Sequence, residues 1–163
     1  MIQKKICMVG VHATGKTSLV QRYVFSMFSE KYHSTVGVKI DRKRLKVDGT
    51  WVNLVLWDLA GRDAFEDINI SYLRGASGVL FVVDGTRRGT FEQVFELRDI
   101  SVAAIGEVPS MVAINKSDLT EEWQLTEQDY VRLGDGGLSH FVTSASTGDG
   151  VEDAFLRLAR ATL

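Results

Sequence analysis

An unbroken apolar run, Ile6–Val9, stops at Gly10 and predicts a short buried strand over Ile2–Val9. Beyond a glycine-bearing loop, Leu19, Val20, Tyr23, Val24 and Met27 recur at the spacing of one helix face, predicting a helix over Lys16–Phe28. Val36–Val47 and Trp51–Asp58 flank Asp48-Gly49, a dipeptide that favours a tight hairpin turn. Residues 63–74 read as helical, and Gly78–Asp84 is an apolar run rich in valine. Phe91–Ile105 predicts an amphipathic helix. Pro109 opens the apolar strand Ser110–Asn115, Glu121–Leu133 predicts a helix, His140–Thr143 a last short strand and Val151–Ala161 a closing helix.

Strands alternating with helices of this length imply βαβ units. The expected fold class is α/β: a six-stranded, mostly parallel sheet with one antiparallel edge strand and helices on both faces. Ligands of such sheets bind at the carboxyl ends of the strands. The 163 residues show no repeat or linker and fit one domain over 1–163.

Charge and cysteine content narrow the chemistry. Lys+Arg number 19 against 21 Asp+Glu, a net charge of −2, so no nucleic-acid partner is expected. The lone Cys7 lies within the first apolar run, where it reads as a small buried hydrophobe rather than a disulfide or zinc ligand. No stretch approaches the ~20 apolar residues of a membrane span, and neither a secretory signal nor a lipidation motif is present. The expected setting is reducing and cytoplasmic, with membrane association only through a further tail or a partner.

Gly10-Val11-His12-Ala13-Thr14-Gly15-Lys16-Thr17 satisfies G-x-x-x-x-G-K-[ST], with a strand before it and a helix after it. Backbone N–H groups of such a loop turn inward, and the helix N-terminus adds positive dipole, so phosphate oxygens are well held. Gly10, His12, Ala13, Thr14, Gly15, Lys16, Thr17 and Ser18 are therefore the candidate phosphate-binding residues. Lys16 supplies a point charge for the outer phosphates, and the Thr17 hydroxyl can ligate Mg²⁺. The motif alone says nucleoside triphosphate without saying which.

Asp58-Leu59-Ala60-Gly61 ends the second hairpin strand. D-x-x-G occurs in many turns, but behind a phosphate loop the acid can reach Mg²⁺ and the glycine can bring an N–H to the terminal phosphate. Asn115-Lys116-Ser117-Asp118 discriminates further. A carboxylate at Asp118 can accept from guanine N1–H and its 2-amino group, whereas adenine would leave it desolvated and unpaired. Sites of that kind reject an analogue by roughly 10⁴–10⁵-fold. Asn115 would tie the loops together, and the Lys116 stem would lie over the ring. The plainer alternative is a polar strand-end turn, since Asn, Ser and Asp favour turns.

With these three motifs the chain resembles a small GTPase of the Ras superfamily, closest to the Rab branch, over almost its whole length. Lys31-Tyr32-His33-Ser34-Thr35-Val36-Gly37-Val38 is similar to the Rab first switch. Trp57-Asp58-Leu59-Ala60-Gly61 and Ser71-Tyr72-Leu73-Arg74-Gly75-Ala76 are similar to its second switch and following helix. The resemblance implies the G-domain version of the P-loop fold, with GTP or GDP and Mg²⁺ as ligands. It implies that Phe28 stacks on the guanine edge, and that Ser144, Ala145 and Ser146 form the last guanine loop, with the Ala145 N–H meeting guanine O6. It implies, too, that Thr17, Thr35 and Asp58 serve the metal, and that Thr35 and Gly61 sense the γ-phosphate. Effectors, an exchange factor and an activating protein are the partners it implies, around a monomer.

Two positions depart from the family. Arg62 stands where glutamine usually orients the attacking water. Guanidinium has five donors and no acceptor, so slow intrinsic hydrolysis is expected, with a built-in arginine finger as the other reading. His12 occupies a loop slot that is glycine in Ras proteins and variable among Rabs. It could obstruct a partner's finger, offer a titratable donor to the γ-phosphate, or tilt into solvent. Among the remaining histidines, His33 reads as a switch residue and His140 as a structural residue entering the last strand.

Lys39, Arg42, Lys43, Arg44 and Lys46 crowd one strand, and alternation puts Arg42, Arg44 and Lys46 on one face. They read as a solvated edge that blocks strand addition, with docking to an acidic partner or anionic lipid as the functional alternative. The expected protein is a guanine nucleotide switch that hydrolyses GTP through Lys16, Thr35, Gly61 and Arg62, slowly without an activating partner. Its rivals are a GTP-binding interaction module with negligible hydrolysis, the G domain of a larger protein, and an ATP-using P-loop kinase in which Asp118 is incidental.

Overall fold

The computed structural model describes residues 1–30, 34–64 and 66–163. Lys31, Tyr32 and His33 of the expected first switch, and position 65, lie outside the described residues. The strands are β1 (Ile2–Gly10), β2 (Val38–Val47), β3 (Thr50–Leu59), β4 (Gly78–Asp84), β5 (Ser110–Asn115) and β6 (Ser139–Val142). The α-helices are α1 (Lys16–Phe25), α2 (Arg88–Glu92), α3 (Val94–Ile105), α4 (Glu127–Asp135) and α5 (Val151–Ala161). One sheet forms in the order β2-β3-β1-β4-β5-β6. Among the described residues only β2 and β3 pair antiparallel; the other neighbours are parallel.

Period-two alternation sends the apolar runs to both faces. Ile6, Met8, Leu80 and Val82 pack against Leu19 and Tyr23 of α1 and Phe155 and Leu158 of α5. Their sequence neighbours Cys7, Val9, Phe81 and Val83 pack on the other side against Phe91, Val94, Leu97 and Leu133. Tyr23 and Phe155 stack with ring centroids 4.2 Å apart. Truncating the fully buried Phe155 to alanine would cost about 3–5 kcal/mol. Asp48 and Gly49 both take positive φ, 48° and 85°, as the tight hairpin turn between β2 and β3 requires.

The structure corrects several boundaries. Among the described residues of the helix expected over 63–74, the only helical segment is a 3₁₀ turn, Ile70–Leu73. Asp67 Oδ1 accepts from the Ile68 amide and Asn69 Oδ1 from the Ser71 amide, so side chains take N–H groups that a helix would need. Glu121–Leu133 also divides: a 3₁₀ turn at Thr120–Glu122 precedes an extended stretch and then α4. The Trp123 ring fills the space a Cβ would occupy at Gly85, and the Gln124 amide donates to Gly85 O at 2.8 Å, which holds that stretch extended. A Thr126–Asp129 capping box then starts α4. Phe91–Ile105 begins earlier, at Arg88, and breaks at Gln93; α1 stops at Phe25 because Ser26 turns left-handed, φ 55°. The basic strand β2 lies at the sheet edge with Arg42, Arg44 and Lys46 exposed.

Candidate functional site

The loops at the carboxyl ends of β1, β3, β5 and β6 line a cleft of about 340 Å³. His12, Ala13, Gly15, Lys16, Thr17, Ser18, Phe28, Thr35, Gly61, Asn115, Lys116, Asp118, Ala145 and Ser146 line it, all of them expected from sequence; Ser29, Glu30 and Leu119 join them unexpectedly. Gly10, Thr14, Asp58, Arg62 and Ser144 do not line it.

The loop between β1 and α1 bends through positive φ at Ala13 (66°) and Gly15 (99°). A Cβ on Gly15 would overlap Asn115 Nδ2, so that position needs glycine for both reasons. The Thr14 hydroxyl and the Lys16 ammonium donate to Val11 O at 3.0 and 2.9 Å, which holds Lys16 across the loop. Burial pushes the Lys16 pKa down to about 8; Asp58 opposes that shift and Arg87 adds to it. Gly61 approaches so closely that an added Cβ would lie 2.6 Å from His12 N and 2.8 Å from Lys16 Nζ.

Thr17, Thr35 and Asp58 meet at one point. Thr17 Oγ1 donates to Asp58 Oδ2 at 2.6 Å and lies 2.6 Å from Thr35 Oγ1, which reaches the same carboxylate at 3.4 Å. Asp58 is fully buried, and its Oδ1 accepts no hydrogen bond among the described residues. Burial raises its pKa, with the Thr17 hydroxyl and Lys16 opposing. Two hydroxyls and a carboxylate with an unused buried oxygen fit a hard divalent cation such as Mg²⁺.

The second half of the cleft is built by loops after β5 and β6. Asn115 Nδ2 donates to Thr14 O at 3.1 Å, and its Oδ1 accepts from Thr143 Oγ1 and the Ala145 amide, both at 3.2 Å. One buried amide side chain thus joins three loops. Asp118 Oδ1 accepts from Ser144 Oγ at 2.8 Å, orienting a carboxylate that lines the cleft. Arg22 of α1, which sequence reasoning missed, donates to Ala145 O at 2.7 Å and Ser146 O at 2.6 Å.

Arg62 is placed differently from its motif neighbours. Its backbone bridges to the phosphate loop, donating to Gly10 O at 3.1 Å and accepting from His12 N at 2.9 Å. Its guanidinium, however, holds Asp67 at 2.8 and 2.9 Å and Glu96 at 3.0 and 3.3 Å. Asp84 and Arg87 were also missed. The strand-end position of Asp84, like those of Asp58 and Asn115, is the signal that would have found it. His140 stacks on Tyr130 at 4.7 Å, and burial lowers its pKa, as a packed structural histidine requires.

This architecture has known relatives. The family model described as "Ras family" matches residues 5–163. The "Ras-related protein Rab-1" of Theileria parva is 35% identical over 160 residues, spanning 96% of this chain and 73% of that protein. The "Ras-related protein Rab-4" of Dictyostelium discoideum is 34% identical over 158 residues (96% and 77%), and the human "Ras-related protein Rab-8B" 32% over 158 residues (96% and 76%). With the six-stranded sheet and the loop-lined cleft at its carboxyl edge, these matches make the chain a member of the Ras family, a Rab-like small GTPase whose work is that of a nucleotide-dependent switch.

Proposed function

We propose that the chain binds GTP and GDP with Mg²⁺ as a single G domain and hydrolyses GTP slowly until a partner assists. The observation that carries this reading is the meeting, in one cleft, of the phosphate loop, the Thr17–Thr35–Asp58 cluster and the Asp118 carboxylate. Asp118 would accept from guanine N1–H and the 2-amino group, the Ala145 N–H would face O6, and Phe28 would flank the base edge. Thr17, Thr35 and Asp58 would hold Mg²⁺, which when bound neutralises charge on the phosphates.

Lys16 offsets the charge that develops on the terminal phosphate, and the loop amides do the same without reorganising. Thr35 and the Gly61 N–H would sense the γ-phosphate. The Ala60 amide already donates to Gly37 O at 2.9 Å, so the two segments are joined. Slow turnover follows from Arg62: its guanidinium is engaged by Asp67 and Glu96, and it has no acceptor with which to orient water. Exchange factor, activating protein and effectors are the partner classes such a switch uses.

The test is chromatography of bound nucleotide followed by a single-turnover time course with GTP and Mg²⁺. Bound guanine nucleotide and slow phosphate release, abolished by Lys16→Ala, are expected. Bound GTP that persists for many hours would instead favour a binding module. Tight ATP binding indifferent to Asp118→Ala would overturn the guanine assignment.

A further inference from the structure

We infer that Arg87 is a positioning residue of the phosphate loop, turning loop amides toward the nucleotide's phosphates and thereby setting how long the nucleotide stays. The inference rests on the guanine nucleotide reading above. Arg87 Nη2 donates to His12 O at 2.9 Å, and Lys116 Nζ donates to the next carbonyl, Ala13 O, at 3.1 Å. In a trans peptide the C=O and N–H point in opposite directions. Gripping the carbonyls of residues 12 and 13 from behind therefore aims the amides of Ala13 and Thr14 the other way. Among the described residues neither amide donates to a backbone carbonyl, whereas the preceding one, His12 N, is taken by Arg62 O. Ala13 sits at φ 66°, a conformation that non-glycine residues hold only when their surroundings enforce it.

One buried carboxylate anchors both cations. Asp84 Oδ2 pairs with Arg87 Nε and with Lys116 Nζ, each at 2.9 Å, while its Oδ1 accepts from the Thr86 amide and hydroxyl at 2.8 and 2.6 Å. Asp84 is 1% exposed, so the anchor is rigid, while the Arg87 side chain is 43% exposed and forms no part of the core. Arginine suits the position because its fork serves two directions at once, Nε toward Asp84 and Nη2 toward His12 O. A lysine offers a single point charge.

The experiment loads the full chain with a fluorescent GDP analogue in Mg²⁺ and chases it with excess GDP. Arg87→Gln is expected to release the analogue about tenfold faster, the loss of one charge-assisted hydrogen bond, with Arg87→Lys between it and wild type. The thermal midpoint of the nucleotide-free protein should fall less than that of the loaded protein, because Lys116 and Thr86 still satisfy Asp84, so the rise in midpoint on adding GDP should shrink. A wild-type release rate for Arg87→Gln overturns the positioning role. So does a nucleotide-free midpoint lowered as far as that of the loaded protein, because that is a structural effect. Wild-type protein that retains no guanine nucleotide overturns the underlying reading and this inference together.

Discussion

Arg62 and Glu96 are 34 residues apart in the chain, yet their guanidinium and carboxylate share hydrogen bonds of 3.0 and 3.3 Å. Asp67 takes the other side of the same fork at 2.8 and 2.9 Å. Both acids are more than half exposed, while the Arg62 side chain is 14% exposed. The residue that follows the D-x-x-G glycine is therefore tied to α3 and to its own loop, and the cleft is lined without it.

Replacing Arg62 by glutamine frees this position and restores an amide oxygen that can accept from water. Single-turnover GTP hydrolysis by Arg62→Gln is expected to rise about tenfold or more, equivalent to ~1.4 kcal/mol or more off the barrier. A fall in rate would instead identify Arg62 as a catalytic residue that leaves Asp67 and Glu96 during the reaction.

Asp118→Ala removes the acceptor proposed for two guanine donors. Hydrogen bonds to a charged group contribute roughly 1.5–3 kcal/mol each, so GDP affinity should fall roughly 10²–10⁴-fold. Competition binding reads this directly, with ATP as the comparison. Unchanged GDP affinity would show that the base is recognised elsewhere.

Two glycines separate backbone need from open space. Gly15→Ala meets φ 99° and the Asn115 amide, so nucleotide retention should be lost and the protein destabilised by about 1 kcal/mol or more. Gly89, inside α2, has no atom within 4 Å of an added Cβ, and Gly89→Ala should stabilise by about 0.5–1 kcal/mol. Urea unfolding of the two variants should move in opposite directions.

The acid side of the stability profile should report Asp129. Hydrogen bonds from Arg88, at 2.7 and 2.8 Å, lower its pKa to about 2, below the ~3.9 of an unfolded chain. Because the folded value is the lower one, the contribution is fully present above ~3.9 and is lost as pH falls toward and through about 2. Urea midpoints measured between pH 5 and 3 should therefore drop further for wild type than for Arg88→Met. Parallel drops would remove this pair from the account of acid sensitivity.

Legibility in the sequence followed the range of the interactions. Apolar runs located β1, β4 and β5 to within about two residues, since burial on both faces favours a continuous apolar run, while the Asp48-Gly49 turn located the basic edge strand β2 and its partner β3. Where side-chain bonds compete with the helix, as at Asp67 and Asn69, periodicity misled, and the described residues of 63–74 formed only the turn Ile70–Leu73.

By itself the sequence determined the strand–loop–helix order and the three motifs that line the cleft, because phosphate and base loops are contiguous peptides whose backbone geometry is local. Only the tertiary structure decided that Arg62 is held by Glu96 and that Asp84 steers Arg87 and Lys116 onto consecutive loop carbonyls. It also decided that Arg22 braces the loop after β6. Apart from the local Asp84–Arg87 pair, those contacts join residues far apart in the chain, and charged side chains choose such partners only after the core has brought their elements together.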